Sequence, residues 1–587
     1  MARLHNVKEG SSMKQGSFLQ QTLRTGFFLV PLWLGFNNIV FAVDTIYLNG
    51  NIITMNDVLG TVEAVAVEDG KIKAVGKSAD LQRLATSETS IVDLKERTML
   101  PGFIDAHGHF FLTAEYAYGW VDLNSPPIGG VKSIEEMIAL LKEKADATPE
   151  GQWVLGWGYD DSNILDMRHP TRADLDKVSR KHPIYVQHIS GWISSANSLA
   201  LEMAGINKDS SDPSDGKIRK DPITGEPTGV IESALSPVYN LVPKYTEDDY
   251  VKAIEIGSDM WLASGTTTAQ EGWGDSNQWA MLKTALQRGN LKVRTVFWPL
   301  AQGSEAANLK GYPATISGTS IDDSNMLVLG ASKLTADGSI QGYSGYLSHP
   351  YHQHPEDKSA DYRGYPTRPQ EQLTDMVTAL HKEGRQLAIH GNGDAGIDMI
   401  LDAFDAAQKA YPRQDARHIV VHSQMVREDQ LKRMKHLGVI PSFFATHTYF
   451  WGDRHYNIFM GPERAVRMSP VRSALQMGLP FTLHNDTYVT PMSPLMSVWS
   501  AVNRQSFSGR DMGKEMQGVT VYEALKGVTI NAAWQGFEEN IKGSIEVGKL
   551  ADFVVLDENP LEVDPLEIKN ITVRATILGN NVAFGVL

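Results

Sequence analysis

Two histidines one residue apart, His107 and His109, sit near the end of the stretch MLPGFIDAHGHFF (residues 99–111), after an apolar run opened by a Pro-Gly pair. Side chains on a strand alternate faces, so both imidazoles should point to one side. A neutral imidazole offers a lone pair, and two of them at the mouth of a sheet can hold a divalent metal such as zinc. The competing reading is a polar pair in a solvated loop, and ligands from elsewhere in the chain must decide. With no cysteine present, those ligands can only be nitrogen or oxygen, and a cysteine nucleophile is excluded.

The elements that would position such ligands read as short apolar or β-branched runs alternating with helical stretches. GFIDAHGH is followed by TTTAQEG, KVRTVFWPL, MLVLGASKL, RQLAIHGNGD, HIVVHSQ, GVIPSFF and PFTLHND. Eight strands with intervening helices is the count of a (β/α)8 TIM-like barrel, whose chemistry sits at the C-terminal ends of the strands. The count requires residues 113–245 to be an insertion, carrying its own apolar run PIYVQHIS and a hairpin-like DPITGEPTG. The polar strand ends are then His107 and His109 on the first strand, Lys333 on the fourth, His390 on the fifth, His422 on the sixth and Asp486 on the eighth. All six would face one mouth.

Residues 45–99 alternate in short β-like runs with Asn-Gly and Asp-Gly turns, and the texture returns in GSIEVGKLADFVVLDENP and VRATILGNNVAFG. These predict a small β-sandwich built from both ends of the chain, residues 43–99 and 536–587, around a catalytic domain of residues 100–535. A chain of 587 residues has room for both. Charged residues make up 21% and hydrophobic ones 42%, an ordinary globular balance. Fifty-four Lys and Arg against 69 Asp and Glu give a net charge of -15 with no basic block, which argues against a nucleic-acid partner. Nothing in the sequence fixes the oligomeric state.

Lys14 and Arg24 precede GFFLVPLWLGF (residues 26–36), and the segment ends in small residues at Ala42. This is the layout of a secretory signal over residues 1–42, which predicts a periplasmic or secreted protein with no stable membrane insertion once the signal is removed. The alternative is an uncleaved N-terminal anchor, although Pro31, Asn37 and Asn38 interrupt the apolar run.

The motifs PGFIDAHGH, KLTADGSI, AIHGNGD, RHIVVHSQ, LHNDTYVTPMSP and GSIEVGKLADFVVLD resemble the amidohydrolase superfamily, in the branch that includes N-substituted formamide deformylase. The resemblance runs from about residue 45 to the end. It implies that His107, His109, Lys333, His390, His422 and Asp486 ligate one or two divalent ions, zinc foremost, with manganese, cobalt, nickel and iron also compatible. An ammonium group has no lone pair, so the resemblance further implies that Lys333 reacts with CO2 to become a carbamate. The alternative for Lys333 is a plain ion pair with Asp337 or another carboxylate, which would leave a mononuclear site. Asp486 would accept the proton of the attacking water and pass it to the leaving group.

The resemblance thus predicts a small-molecule partner and a hydrolase of non-peptide C–N bonds, acting on a small N-acyl or N-formyl amine. Ester, lactone or carbamate hydrolysis is the alternative, with a deaminase or a non-catalytic exported regulatory protein behind it. Relatives often carry a histidine in a Gly-His segment near NSLAL. Here the matching piece, HISGWISSANSLAL, has Trp192, with His188 four residues earlier. Trp192, His447, Tyr449 and Trp451 are the candidate substrate contacts. The loops THTYFWGDRHYNIFMG and YLSHPYHQHPEDKSADYRGYP read either as aromatic lids or as loops packed on each other. His418 and His436 read as ordinary helix or loop residues.

Overall fold

Alternation along the central strands sorts their side chains into two apolar layers. Leu387 and Ile389 of the strand Leu387–Gly391 join the large core shared with the outer helices, whereas Ala388 belongs to an inner cluster with Trp298, Ala331, Ile419, Val421 and Ile440. A parallel strand covered on both faces has to be apolar throughout, and all five residues of this one are buried. The flanking helices Gln370–Lys382 and Asp394–Ala410 supply Leu373, Val377, Ile397 and Phe404 to the outer layer.

This computed structural model describes residues 43–213, 216–232, 236–301, 319–320, 324–355 and 358–587. The signal-like segment of residues 1–42 lies outside them, as do Glu356 and Asp357 of the long loop after the fourth predicted strand. Among the described residues no helix is long and apolar enough to cross a membrane.

The eight predicted strands are present but do not form one continuous hydrogen-bonded sheet. One five-stranded sheet contains Phe103–Ile104, Thr266–Gly274, Arg294–Pro299 and Leu327–Leu329 in parallel, with Thr319–Ser320 antiparallel at its edge. The other runs Ser332–Thr335, Leu387–Gly391, Ile419–His422, Ile440–Phe443 and Thr482–Leu483, all parallel. The fourth predicted strand, MLVLGASKL, is therefore two pieces, one in each sheet. Its break falls at Gly330, where the backbone runs so close to Trp298 that a Cβ would stand 2.4 Å from the indole. A single bridge, Leu300 to Lys333, links the sheets on that side. On the other side His109 N–H donates to Thr487 O (2.6 Å) and Asp486 N–H to His107 O (3.2 Å).

Residues 121–232 carry a six-stranded mixed sheet, and the predicted hairpin is the antiparallel pair Lys217–Lys220 and Pro227–Glu232. Both ends of the stretch 43–587 are β-structure. A four-stranded sheet holds Thr45–Leu48, and a six-stranded sheet pairs Thr98–Pro101 with Phe553–Leu556 from the far end of the chain. Tyr47, Val65 and Ile72 of the first share an apolar cluster with Met99, Phe553 and Ile577 of the second.

Candidate metal centre

His107 and His109 lie just beyond the strand Phe103–Ile104, in a tight turn rather than on the strand itself. The turn is held by the buried Asp105, whose carboxylate accepts from Trp261 Nε1 (3.1 Å) and His107 N–H (3.3 Å). Gly108 is required there, because a Cβ would meet Asp105 Oδ2 at 2.4 Å. The turn still brings both imidazoles to one place: His107 Nε2 and His109 Nε2 lie 3.3 and 3.2 Å from the same oxygen, Asp486 Oδ1. Asp486 itself follows Thr482–Leu483 in a left-handed conformation (φ 54°), which Asp tolerates better than most residues.

Lys333 is 1% exposed on the strand Ser332–Thr335, with Nζ 3.3 Å from His107 Nε2. The alternative pairing with Asp337 is not found. Asp337 instead accepts the backbone N–H groups of Asn392 (3.0 Å), Gly393 (2.7 Å) and Tyr346 (2.9 Å), and Lys333 has no carboxylate ion-pair partner among the described residues. Burial pushes the Lys333 ammonium down to about 7, against the pull of Asp486 and Glu271.

His390 and His422 end adjacent strands and meet at 2.9 Å through Nδ1 and Nε2 respectively. His390 Nε2 lies 3.2 Å from the carbonyl of Gly338 and 3.1 Å from Asn392 Nδ2. Val421 faces the inner cluster, so simple alternation would turn His422 outward; its positive φ of 73° brings the imidazole back to the centre. His422 Nδ1 lies 3.1 Å from His484 Nε2, whose other nitrogen meets Ser442 Oγ at 2.9 Å. His484 was not among the predicted site residues. It precedes Asp486 by two positions in PFTLHND, the same spacing as His107 and His109, and that was the available signal.

Burial opposes charge on three of the imidazoles, while the carboxylate among them stays ionised. Burial holds His107 and His422 well below their usual range and brings His390 to about 4. Burial opposes the charge on Asp486, but His422, His107 and His109 outweigh it and hold the carboxyl well below the usual range. Asp486 Oδ1 is buried and makes no directed hydrogen bond, and His107 Nδ1 has no partner among the described residues. Nitrogen and oxygen atoms that approach within 3.3 Å without hydrogen-bond direction converge on a common point, so this donor set fits a divalent cation.

The walls agree only in part with the sequence. The Trp192 ring stands 6.2 Å from that of His390. His447 is 2% exposed and neither of its ring nitrogens has a partner. It packs on Phe444 (4.0 Å) and Trp451 (5.3 Å), while Trp451 Nε1 donates to Asp160 Oδ2 (3.0 Å). The Tyr449 ring packs on Trp499 and Phe507 beneath the Lys569 ammonium. The aromatics of the two long loops chiefly hold those loops together, as in the Tyr343, Tyr351 and Phe459 cluster. Tyr488, which the sequence did not single out, stands 5.7 Å from His109 and packs on Tyr116 and Trp157.

Residues 90–584 match the amidohydrolase family. The chain is 29% identical over 543 residues to the N-substituted formamide deformylase of Arthrobacter pascens, covering 91% of this chain and 97% of the relative. It is 28% identical over 549 residues to the protein LONG AFTER FAR-RED 3 of Arabidopsis thaliana, covering 91% of each. In fold it is similar to an uncharacterized metal-dependent hydrolase from Pyrococcus horikoshii, with a TM-score of 0.70 and 24% identity over 89% of this chain and 99% of that one. The chain belongs to the amidohydrolase family, and it is an enzyme that hydrolyses carbon–nitrogen bonds other than peptide bonds.

Proposed function

We propose that the chain is a metal-dependent amidase acting on a small N-acyl or N-formyl amine that bears an apolar or aromatic group. The observation that carries this reading is the approach of His107 and His109 Nε2 to one oxygen of Asp486, with Lys333 Nζ 3.3 Å from His107 Nε2. The two parallel sheets are the halves of a (β/α)8 barrel in this reading, and the terminal sheets form a β-sandwich. Residues 1–42 direct export.

His107, His109 and Asp486 would hold one ion and His390 and His422 a second, with Lys333, as its carbamate, supplying a further oxygen donor. When bound, such a cation supplies Lewis-acid polarisation of the scissile carbonyl and acidification of water. Asp486 takes the proton of the attacking water and delivers it to the leaving nitrogen as the C–N bond breaks, giving a carboxylate and an amine. The unpartnered His447 imidazole is suited to hydrogen-bond the substrate, and Trp192, Phe444 and Tyr488 offer flat apolar surface to its substituent.

The test is a panel of formamides, longer N-acyl amines, carbamates, esters and lactones, with metal content measured on the same preparation. An aryl or alkyl amide should be turned over, the activity lost on chelation and regained with zinc, manganese or cobalt. Turnover confined to esters or lactones would replace the amidase reading with the alternative.

A further inference from the structure

The insertion holds a second group of converging donors that the centre above does not use. It begins at two adjacent aspartates after the strand Val154–Tyr159. Asp160 is fully employed: it accepts from Ser162 N–H (3.1 Å), Asn163 Nδ2 (2.9 Å) and Trp451 Nε1 (3.0 Å). Asp161 is placed differently. Its Oδ1 lies 3.0 Å from His188 Nε2 and 3.7 Å from His169 Nδ1.

These contacts carry the signature of the first centre. His188 Nε2 is buried and has no directed hydrogen bond among the described residues, although a carboxylate oxygen stands 3.0 Å away. The three ligand atoms lie within 4.8 Å of one another, as do those of His107, His109 and Asp486. Both imidazoles are buried, while the Asp161 side chain is 28% exposed and leaves an approach for an ion.

The surrounding groups can adjust to a cation. Without one, Ser190 N–H donates to His188 Nδ1 (3.1 Å), which puts the ring proton on Nε2. With a cation on Nε2 the proton moves to Nδ1, where Ser190 Oγ at 2.8 Å accepts it, the kind of outer contact that orients histidine ligands. The Tyr159 hydroxyl, 3.3 Å from His169 Nδ1, has Ser195 Oγ at 3.4 Å as another partner, so the His169 lone pair can be released.

We propose that Asp161, His169 and His188 form a second divalent-cation site, separate in its ligands from the barrel centre and taking a zinc- or manganese-like ion through two imidazole nitrogens and one carboxylate oxygen. That donor set suits borderline first-row ions and leaves coordination positions open to water. The site pins the end of the strand Ile184–His188 just before Gly191 and Trp192. Gly191 packs so closely that a Cβ would meet the Tyr488 hydroxyl at 2.3 Å, and the Trp192 ring stands beside His390. The second ion therefore sets the position of one wall of the substrate pocket.

Diffraction from wild-type crystals grown with zinc, recorded on either side of the zinc absorption edge, tests the site directly. An anomalous peak should stand between Asp161, His169 and His188, resolved from any peak at His107 and His109. In solution, His188→Ala and Asp161→Asn should each lose one equivalent of metal per chain relative to wild type after dialysis. No peak among the three residues in zinc-saturated wild-type crystals would overturn the proposal, as would unchanged metal stoichiometry in both variants. Because the two peaks are read separately, failure here leaves the barrel centre standing, and the wild-type measurement does not depend on either variant folding.

Discussion

One strand, Ile419–His422, is bracketed by two buried histidines that have opposite surroundings. At its start, His418 Nδ1 accepts from Leu387 N–H (3.0 Å), its Nε2 meets His381 Nδ1 (2.8 Å), and His381 Nε2 meets Tyr411 O (2.7 Å). Each proton in that chain has one place to go, and Phe404 stacks on the His418 ring. At the strand's other end, His422 belongs to a group in which His107 Nδ1, Asp486 Oδ1 and both nitrogens of His447 lack partners. Burial is equal at the two ends, so burial alone does not mark a site. What marks it is polar capacity left unused where water is excluded, which a folded protein tolerates when something else is to bind there.

The sharpest way to break this contrast is to remove a ligand from the unsatisfied end. His107→Ala should lose bound metal and activity together, and chelation of the wild type should reproduce the loss. A His107→Ala enzyme with wild-type metal content and turnover would mean that the open end is only a polar core. Lys333→Ala should also lower metal occupancy and activity, and a short carboxylate in solution should restore part of the turnover by standing in for the carbamate oxygens. Metal content and turnover retained without rescue would make Lys333 a packing residue.

Part of this centre was legible in the sequence because the strand-end rule acts locally and alternation serves His390, whereas His107 and His109 sit in a turn and His422 returns through its positive φ. His390 follows Ala388 on the inner face, and all six predicted ligands are drawn to the same end of the two sheets. What was not legible depends on backbone detail. The fourth strand breaks at Gly330, where the backbone runs close to Trp298, a contact across strands that no local pattern encodes. Tyr449 looked like pocket lining from its loop, but its direction is set by Trp499 and Phe507, far away in the chain. The Asp161, His169 and His188 group is gathered from loops and a strand end within residues 161–188, a convergence that no local pattern encodes.

A smaller effect separates holding the metal from using it. Asp486→Asn keeps the size of the side chain but removes the charge and basicity needed to take a proton. With the histidines still in place, the variant should retain at least one ion. Its turnover should fall by roughly two to four powers of ten, the usual contribution of a positioned general base. Metal analysis and steady-state kinetics on one preparation decide this, and wild-type turnover across the pH range would disqualify Asp486 as the base.

The satisfied end gives the smallest effect on activity and a definite one on stability. His418→Ala removes a buried, hydrogen-bonded ring and leaves Leu387 N–H and His381 Nδ1 unpaired. The expected loss is about 2–4 kcal/mol in denaturant unfolding, with metal content and kcat unchanged. The difference should also depend on pH in one direction. Burial, then His381 and Arg413, hold the His418 pKa well below its ordinary value, so the folded state resists protonation that the unfolded chain accepts near pH 6.5. The stability due to the neutral ring is therefore complete above about pH 6.5 and is lost as the pH falls from there towards the folded pKa. Wild type and His418→Ala should accordingly converge by about 1 kcal/mol between pH 7 and pH 5.5. A gap that stays constant over that range, or a variant that loses its metal, would show that the two ends of the strand are not as different as their hydrogen bonds make them.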